Sequence, residues 1–302
     1  MTEAGAPPGE AVRLSDTVQD AAFRALMGVL LRLPYHWRVP LCGRIVAHVV
    51  APLAGYNRRI RANLALALPD LSPRERRRLT RAVCDNIGRS LVEIYSGPEF
   101  VARLQSLPLN GPGVAAITDA HDKGRPVIFA TAHFGNATAV APPVAARGLR
   151  FGSIYMEMSN RRFNAHYVRA LGSVVGTLFA RNRKGLAAMS RWLRDGGMIG
   201  ILLDQHMRGG VKLGFFGREA FTALSAAELA LRHGAPLVPI YAIRQPDGLS
   251  FKVIVEAPIP HSTPEAMTQA LNDSLERLVR RHPEQWFWIH RRWKGAGDPV
   301  RR

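Results

Sequence analysis

Acidic residues are scarce in this chain: 23 Asp and Glu stand against 41 Lys and Arg in 302 residues, a formal net charge of +18. That balance asks for an anionic partner, either nucleic acid, an acidic carrier protein or an anionic membrane surface. Cysteine is scarcer still. Cys42 and Cys84 are the only two, without metal-ligand spacing, which fits a reduced cytoplasmic setting and structural thiols. Long apolar runs are missing too. The nearest, residues 39–54, is about one turn too short for a span and carries Arg44 and His48. It suits a core helix or a helix lying in a membrane interface better than a crossing one. Residues 1–20 are polar and include Glu3, Glu10, Asp16 and Asp20, unlike a secretory signal. No Gly-x-Ser-x-Gly elbow and no Walker A loop occurs, and Gly111-Pro-Gly113 follows no clear strand. Helix-turn-helix, RNA-binding and zinc signatures are lacking, so no nucleic acid is expected despite the charge.

What is present divides into two textures. Residues 1–16 read as a disordered leader, and 17–302 as one continuous domain. Within it, 17–105 is helical and 106–302 is an α/β core. Ser72-Pro73-Arg74-Glu75 is a capping box with proline at the first helical position. Leu79, Val83, Ile87, Leu91 and Ile94 then recur at three- and four-residue steps. Arg74, Arg76, Arg77, Arg78 and Arg81 take the other face, either a solvated surface or a docking surface for phosphates. Beyond residue 109, apolar strand candidates at 126–132, 149–155, 198–203, 236–243 and 250–256 alternate with helical stretches at 160–171, 184–194 and 222–233. Such alternation predicts an α/β fold, a mixed sheet flanked by helices. Another capped helix starts at Ser262-Thr263-Pro264-Glu265.

Chemistry concentrates at the strand ends. His133 closes the apolar run 126–132, where a base faces a crevice with rigid support behind it. Gly135 permits a tight turn, and Asn136 offers donor and acceptor near the imidazole. Pro142-Pro143 should shorten or kink the helix that follows. Asp204-Gln205 closes another apolar strand and is expected to face the same crevice. Phe215-Phe216-Gly217 suits an acyl-chain wall or plain packing. Trp286, Trp288 and Trp293 with Arg291, Arg292 and Lys294 suit a folded corner, or second an interfacial belt. Histidines 121, 133, 206 and 233 have no metal-ligand spacing, so neither metal nor cofactor is expected.

The stretch 129–138, Phe-Ala-Thr-Ala-His-Phe-Gly-Asn-Ala-Thr, resembles the His-x4-Asp/Glu motif of the lipid A biosynthesis (lauroyl/myristoyl) acyltransferases, in the glycerolipid acyltransferase superfamily. Further similar blocks run in order from 57 to 294. They are Asn57 to Leu64, Leu68 to Arg76, Ile154 to Phe163, Arg181-Asn182-Arg183-Lys184-Gly185, Gly200 to His206, Phe215 to Arg218, and Gln285 to Lys294. Two positions depart from the pattern: Thr138 stands where the family carries its acid, and Met156 where it carries an arginine.

The resemblance implies a glycerolipid-acyltransferase-like fold with a helical N-terminal portion. It implies O-acyl transfer from an acyl carrier protein, with coenzyme A as second choice, to a hydroxyl of a lipid A precursor or related lyso-glycolipid. His133 would be the base, with Thr138 at the place of the acid. Asn136 would hold the ring or bind substrate, and Met156, Asp204 and Gln205 would border the substrate. Arg181 and Arg183 would bind phosphates, while Phe215 and Phe216 would line an acyl groove. The site would lie at the cytoplasmic face of a bacterial inner membrane, reached peripherally or through one short N-terminal anchor, with anionic lipid as acceptor. The departures also leave room for an impaired homologue that only binds lipid or an acyl carrier. Whether Asp204 reaches across the sheet ends to replace the acid is left open at this level.

Overall fold

The computed structural model of the chain describes residues 14–158 and 160–295. The expected leader therefore lies mostly outside the described residues, and the first helix begins within it. That helix, α1 (Leu14–Leu30), is followed by α2 (Tyr35–Ile45), α3 (Ala51–Leu53), α4 (Tyr56–Ala67), α5 (Pro73–Tyr95) and α6 (Gly97–Leu104). The α5 capping box forms as expected: Ser72 accepts from the Glu75 backbone, and Glu75 reaches back to Ser72.

The apolar segment 39–54 runs through α2, a π-helical turn at Val46–Val50 and α3. Val39, Cys42, Val46, Ala47 and Ala51 pack inward, while Trp37, Leu41, Val49, Val50 and Leu53 face outward. No single helix among the described residues is long and apolar enough to cross a membrane. The pair formed by Tyr35–Leu53 and Tyr56–Ala67 is bent by 92°.

The remainder alternates: β1 (Leu109–Asn110), α7 (Val114–Asp122), β2 (Val127–Thr131), α8 (Ala141–Ala145), β3 (Phe151–Tyr155), α9 (Arg161–Val175), β4 (Thr177–Ala180) and α10 (Arg183–Arg194). Then come β5 (Met198–Leu202), β6 (Val211–Phe215), β7 (Arg218–Thr222), α11 (Ser225–His233), β8 (Leu237–Arg244), β9 (Phe251–Val255) and α12 (Pro264–Arg281). Seven strands form one sheet in the order β1-β9-β8-β2-β5-β3-β4, and β6-β7 is a separate antiparallel hairpin. Every pairing in the large sheet is parallel except β8 with β9. This is the expected α/β fold with a mixed sheet and a helical N-terminal portion. Central strand β2 is buried at all five positions, which is why its sequence is a continuous apolar run rather than an alternating one.

Three features of the sheet position the site. Strands β2 and β5 are neighbours in register through Thr131 and Leu202, so the residues just beyond both strands emerge side by side. Pairing of β3 with β5 stops at Ser153 and Gly200, although β3 continues along β4 to Tyr155 and β5 along β2 to Leu202. The sheet therefore opens between β5 and β3 at its carboxyl edge. Finally, the helix after β2 is broken into a 3-10 turn, Ala137–Val140, and α8, whose first turn carries Pro142 and Pro143. Prolines are tolerated there because first-turn N–H groups have no partner in the helix.

Candidate active site

His133 and Asp204 each lie two residues past a paired strand end, and the parallel register brings them together. His133 Nδ1 is 2.8 Å from Asp204 Oδ1, across 71 residues of sequence. The other carboxylate oxygen accepts from the His133 backbone N–H at 3.0 Å and from Trp286 Nε1 at 2.9 Å. Asp204 is 1% exposed. Burial pushes its carboxyl up. The charge and hydrogen bond of His133, the charge of His290 and the Trp286 indole outweigh burial and hold it well below the usual carboxylate range. An ionised carboxylate only accepts, so a proton sits on His133 Nδ1, and Nε2 is the ring nitrogen left to face the cleft.

Around Nε2 stand Gln205 and His290. Gln205 Nε2 lies 3.3 Å from His133 Nε2 and 2.9 Å from His290 Nε2. The two imidazole centroids are 5.0 Å apart. Burial, then the His133 charge, push His290 down to about 4, against an opposing pull from Asp204 and with a further push from Arg59.

The His133 loop is held from below and from the carboxyl-terminal side. Gly135 has a φ of 56°, a conformation natural to glycine, and its carbonyl accepts from Asn86 and Ser90 on α5. Beneath it Glu93 and Arg244, both buried, form an ion pair. The carboxyl-terminal segment closes the loop: Phe287 N–H donates to His133 O at 2.9 Å, and Gly135 N–H to Gln285 O at 2.8 Å.

A cleft of about 1270 Å³ opens above these groups. His133, Asn136, Thr138 and Gln205 border it, and Ser153 and Gly200 mark where it enters the opened sheet edge. Ile87 and Leu91 of α5 and Leu171 and Val175 of α9 make an apolar wall.

The other expected residues divide. Thr138 does border the cleft, but its N–H and hydroxyl both donate to Asn136 Oδ1, at 3.1 and 2.7 Å. Asn136 holds the loop rather than the ring, because its Nδ2 donates to the buried Glu93 at 2.9 Å. Met156 is 61% exposed at the rim, where Arg181 reaches its sulfur at 4.0 Å and that of Met207 at 3.4 Å. Arg183 is exposed at the start of α10 and is not part of the cleft wall.

Phe215 and Phe216 correct the expectation of an acyl groove. Both are buried against Trp286, Trp288 and Trp293 and do not border the cleft. Edge-on and stacked packing of these rings makes the folded corner that the tryptophans suggested. Sequence reasoning passed over His290, Trp286 as a partner of Asp204, and the Glu93–Arg244 pair. The first two lay inside the quoted 285–294 block.

The sequence model described as "Bacterial lipid A biosynthesis acyltransferase" matches residues 11–295. The chain belongs to that family. Relatives of this acyltransferase include the lipid A biosynthesis lauroyltransferase of Escherichia coli K12, 26% identical over 80% of each chain. The phosphatidylinositol mannoside acyltransferase of Mycolicibacterium smegmatis is 27% identical over 58% of this chain and 59% of its own. The lipid A biosynthesis palmitoleoyltransferase of Escherichia coli K12 is 24% identical over 89% of each.

Proposed function

We propose that this acyltransferase moves a fatty acyl chain from an acyl carrier protein thioester to a hydroxyl of a lipid A precursor or related lyso-glycolipid. The observation that carries the reading is the His133–Asp204 pair at the floor of a cleft with an apolar wall. His133 Nε2 takes the proton of the acceptor hydroxyl as its oxygen attacks the thioester carbonyl carbon. The carbonyl π pair moves to oxygen and gives a tetrahedral oxyanion. Collapse re-forms C=O and breaks C–S, and the leaving thiolate takes the proton back from Nε2. Asp204 keeps the proton on Nδ1 and stabilises the imidazolium formed in between. The wall of α5 and α9 receives the acyl chain, while Asn136 and Thr138 hold the loop carrying the base. Arg181 at the rim is the phosphate-binding residue, with Arg183 outside the cleft able to meet a headgroup further out.

Both acidic partners suit the +18 charge. All three relatives carry a lipid in their names, lipid A biosynthesis in two and phosphatidylinositol mannoside in the third. Peripheral attachment to a membrane, which we assign to the cytoplasmic face of the inner membrane, is supported by two exposed apolar groups beside arginines. Trp37, Leu41, Val49 and Leu53 accompany Arg44 and His48, and Met156, Met158, Leu186 and Val211 surround the cleft mouth near Arg181. Incubation with an acyl carrier protein thioester and a lyso-lipid A precursor tests the reading. Ester should form, and His133→Ala should reduce turnover by roughly 10²–10⁴. Equal turnover by His133→Ala would overturn it.

A further inference from the structure

An oxyanion needs a hydrogen-bond donor that is free when the charge develops. Around His133 several donors are already committed. The His133 backbone N–H and the Trp286 indole both serve Asp204. Phe287 N–H serves His133 O, and Gly135 N–H serves Gln285 O. The backbone and hydroxyl of Thr138 serve Asn136.

Gln205 differs. Its amide nitrogen carries two N–H groups and no lone pair to offer. Both imidazole Nε2 atoms therefore accept from it, His290 at 2.9 Å and His133 at a longer 3.3 Å. The His133 Nε2 lone pair is the one that the acceptor hydroxyl must occupy. Binding of the hydroxyl thus releases one Gln205 N–H beside the reacting atoms, while His290 retains the other. His290 is fixed in turn, since Asn63 Nδ2 donates to its carbonyl at 2.8 Å and to that of Trp288 at 2.6 Å.

We propose that Gln205 is the oxyanion donor for the thioester carbonyl, and that His290 is the positioning residue that keeps the amide NH2, rather than its oxygen, turned toward the base. The inference rests on the acyl-transfer reading above. Were the amide reversed, its oxygen would accept from Nε2–H and hold His133 in a form without a free lone pair. The charged groups facing this trio are Asp204 beyond β5 and Arg59 on α4.

Steady-state kinetics on the full chain, with an acyl carrier protein thioester and a lyso-lipid A precursor, tests both roles. Gln205→Ala should lower kcat by roughly 10²–10³ with little change in KM, the loss typical of one oxyanion donor. His290→Leu should lower kcat by about tenfold or more. His290→Gln, whose side-chain oxygen accepts in place of Nε2, should recover most of that loss. A kcat for Gln205→Ala within about threefold of the parent would overturn the oxyanion role. His290→Gln as impaired as His290→Leu would overturn the positioning role and give His290 chemistry of its own.

Histidine 15N NMR reads the arrangement without turnover. His290 should be protonated at Nδ1 and bare at Nε2 at pH 7, and a protonated Nε2 would overturn the positioning role. A parent that shows the expected tautomers but no turnover would sink the acyl-transfer reading, and the oxyanion role with it.

Discussion

Asp204 meets His133 from the neighbouring strand: Oδ1 lies 2.8 Å from Nδ1, and Oδ2 accepts from the backbone N–H of the same histidine. One carboxylate thus fixes both the ring and the chain that carries it. Thr138, where the resemblance led us to expect an acid, has no part in that contact, since its polar groups bond Asn136. The pairing gives His133 a carboxylate partner other than residue 138.

Trp286 supplies the third donor to Asp204, from a fully enclosed indole. Trp286→Phe keeps most of the packing but strips one buried carboxylate oxygen of a partner. We expect a stability loss of about 1–3 kcal/mol by chemical denaturation, and a fall in kcat larger than any change in KM.

Gly135→Ala should be among the most damaging small substitutions. A Cβ there would stand 2.2 Å from Ala242 O, and φ is already positive. Neither backbone can yield cheaply, so the loop carrying His133 must shift. The expected result is a lower denaturation midpoint together with loss of turnover.

Glu93→Gln removes the charge beneath that loop and leaves Arg244 buried without its counter-ion. Breaking one side of a buried pair costs about 3–5 kcal/mol. Because Asn136 also donates to Glu93, activity should fall beyond what the lost stability explains. Denaturation and turnover measured on the same preparation separate the two effects.

His290 gives a pH signature. Its folded value, about 4, is depressed below the usual 6.5, so the unfolded chain takes up a proton first as pH falls. Stability should drop as pH falls from about 6.5 to about 4, by up to about 1.4 kcal/mol per pH unit, and this contribution should be flat above and below that window. Denaturation at pH 7 and pH 5 should show a smaller difference for His290→Gln than for the parent.

Both thiols should be inert in the native protein. Cys42 and Cys84 are fully buried, and burial is the leading cause that pushes them up to about 12 and about 11. Alkylation at pH 8 should label neither until denaturant is added.

Much of this was legible in the sequence, for reasons that differ by residue. The apolar run before His133 announced a buried central strand, and the box at Ser72 announced α5, because both signals are local. The partnership of His133 with Asp204 was not legible, because it depends on β2 and β5 being neighbours, and strand order is a tertiary property. Phe215 and Phe216 could equally have lined a groove or filled a core. Their place was decided by three tryptophans some seventy residues later in the chain. The β6-β7 hairpin leaves no signal in the sequence, because its two strands mix exposed and buried positions and give no apolar run. The helix expected at 222–233 starts instead at Ser225, because residues 218–222 form β7.

The most direct test of the central claim compares thioester turnover by the parent, Asp204→Asn and Thr138→Asp with an acyl carrier protein donor and a lyso-lipid A precursor. If Asp204 is the partner of the base, the parent turns over and Asp204→Asn loses roughly 10³–10⁴ in kcat. Thr138→Asp then brings no gain. A silent parent that becomes active with Thr138→Asp, or an Asp204→Asn variant as fast as the parent, would contradict the account.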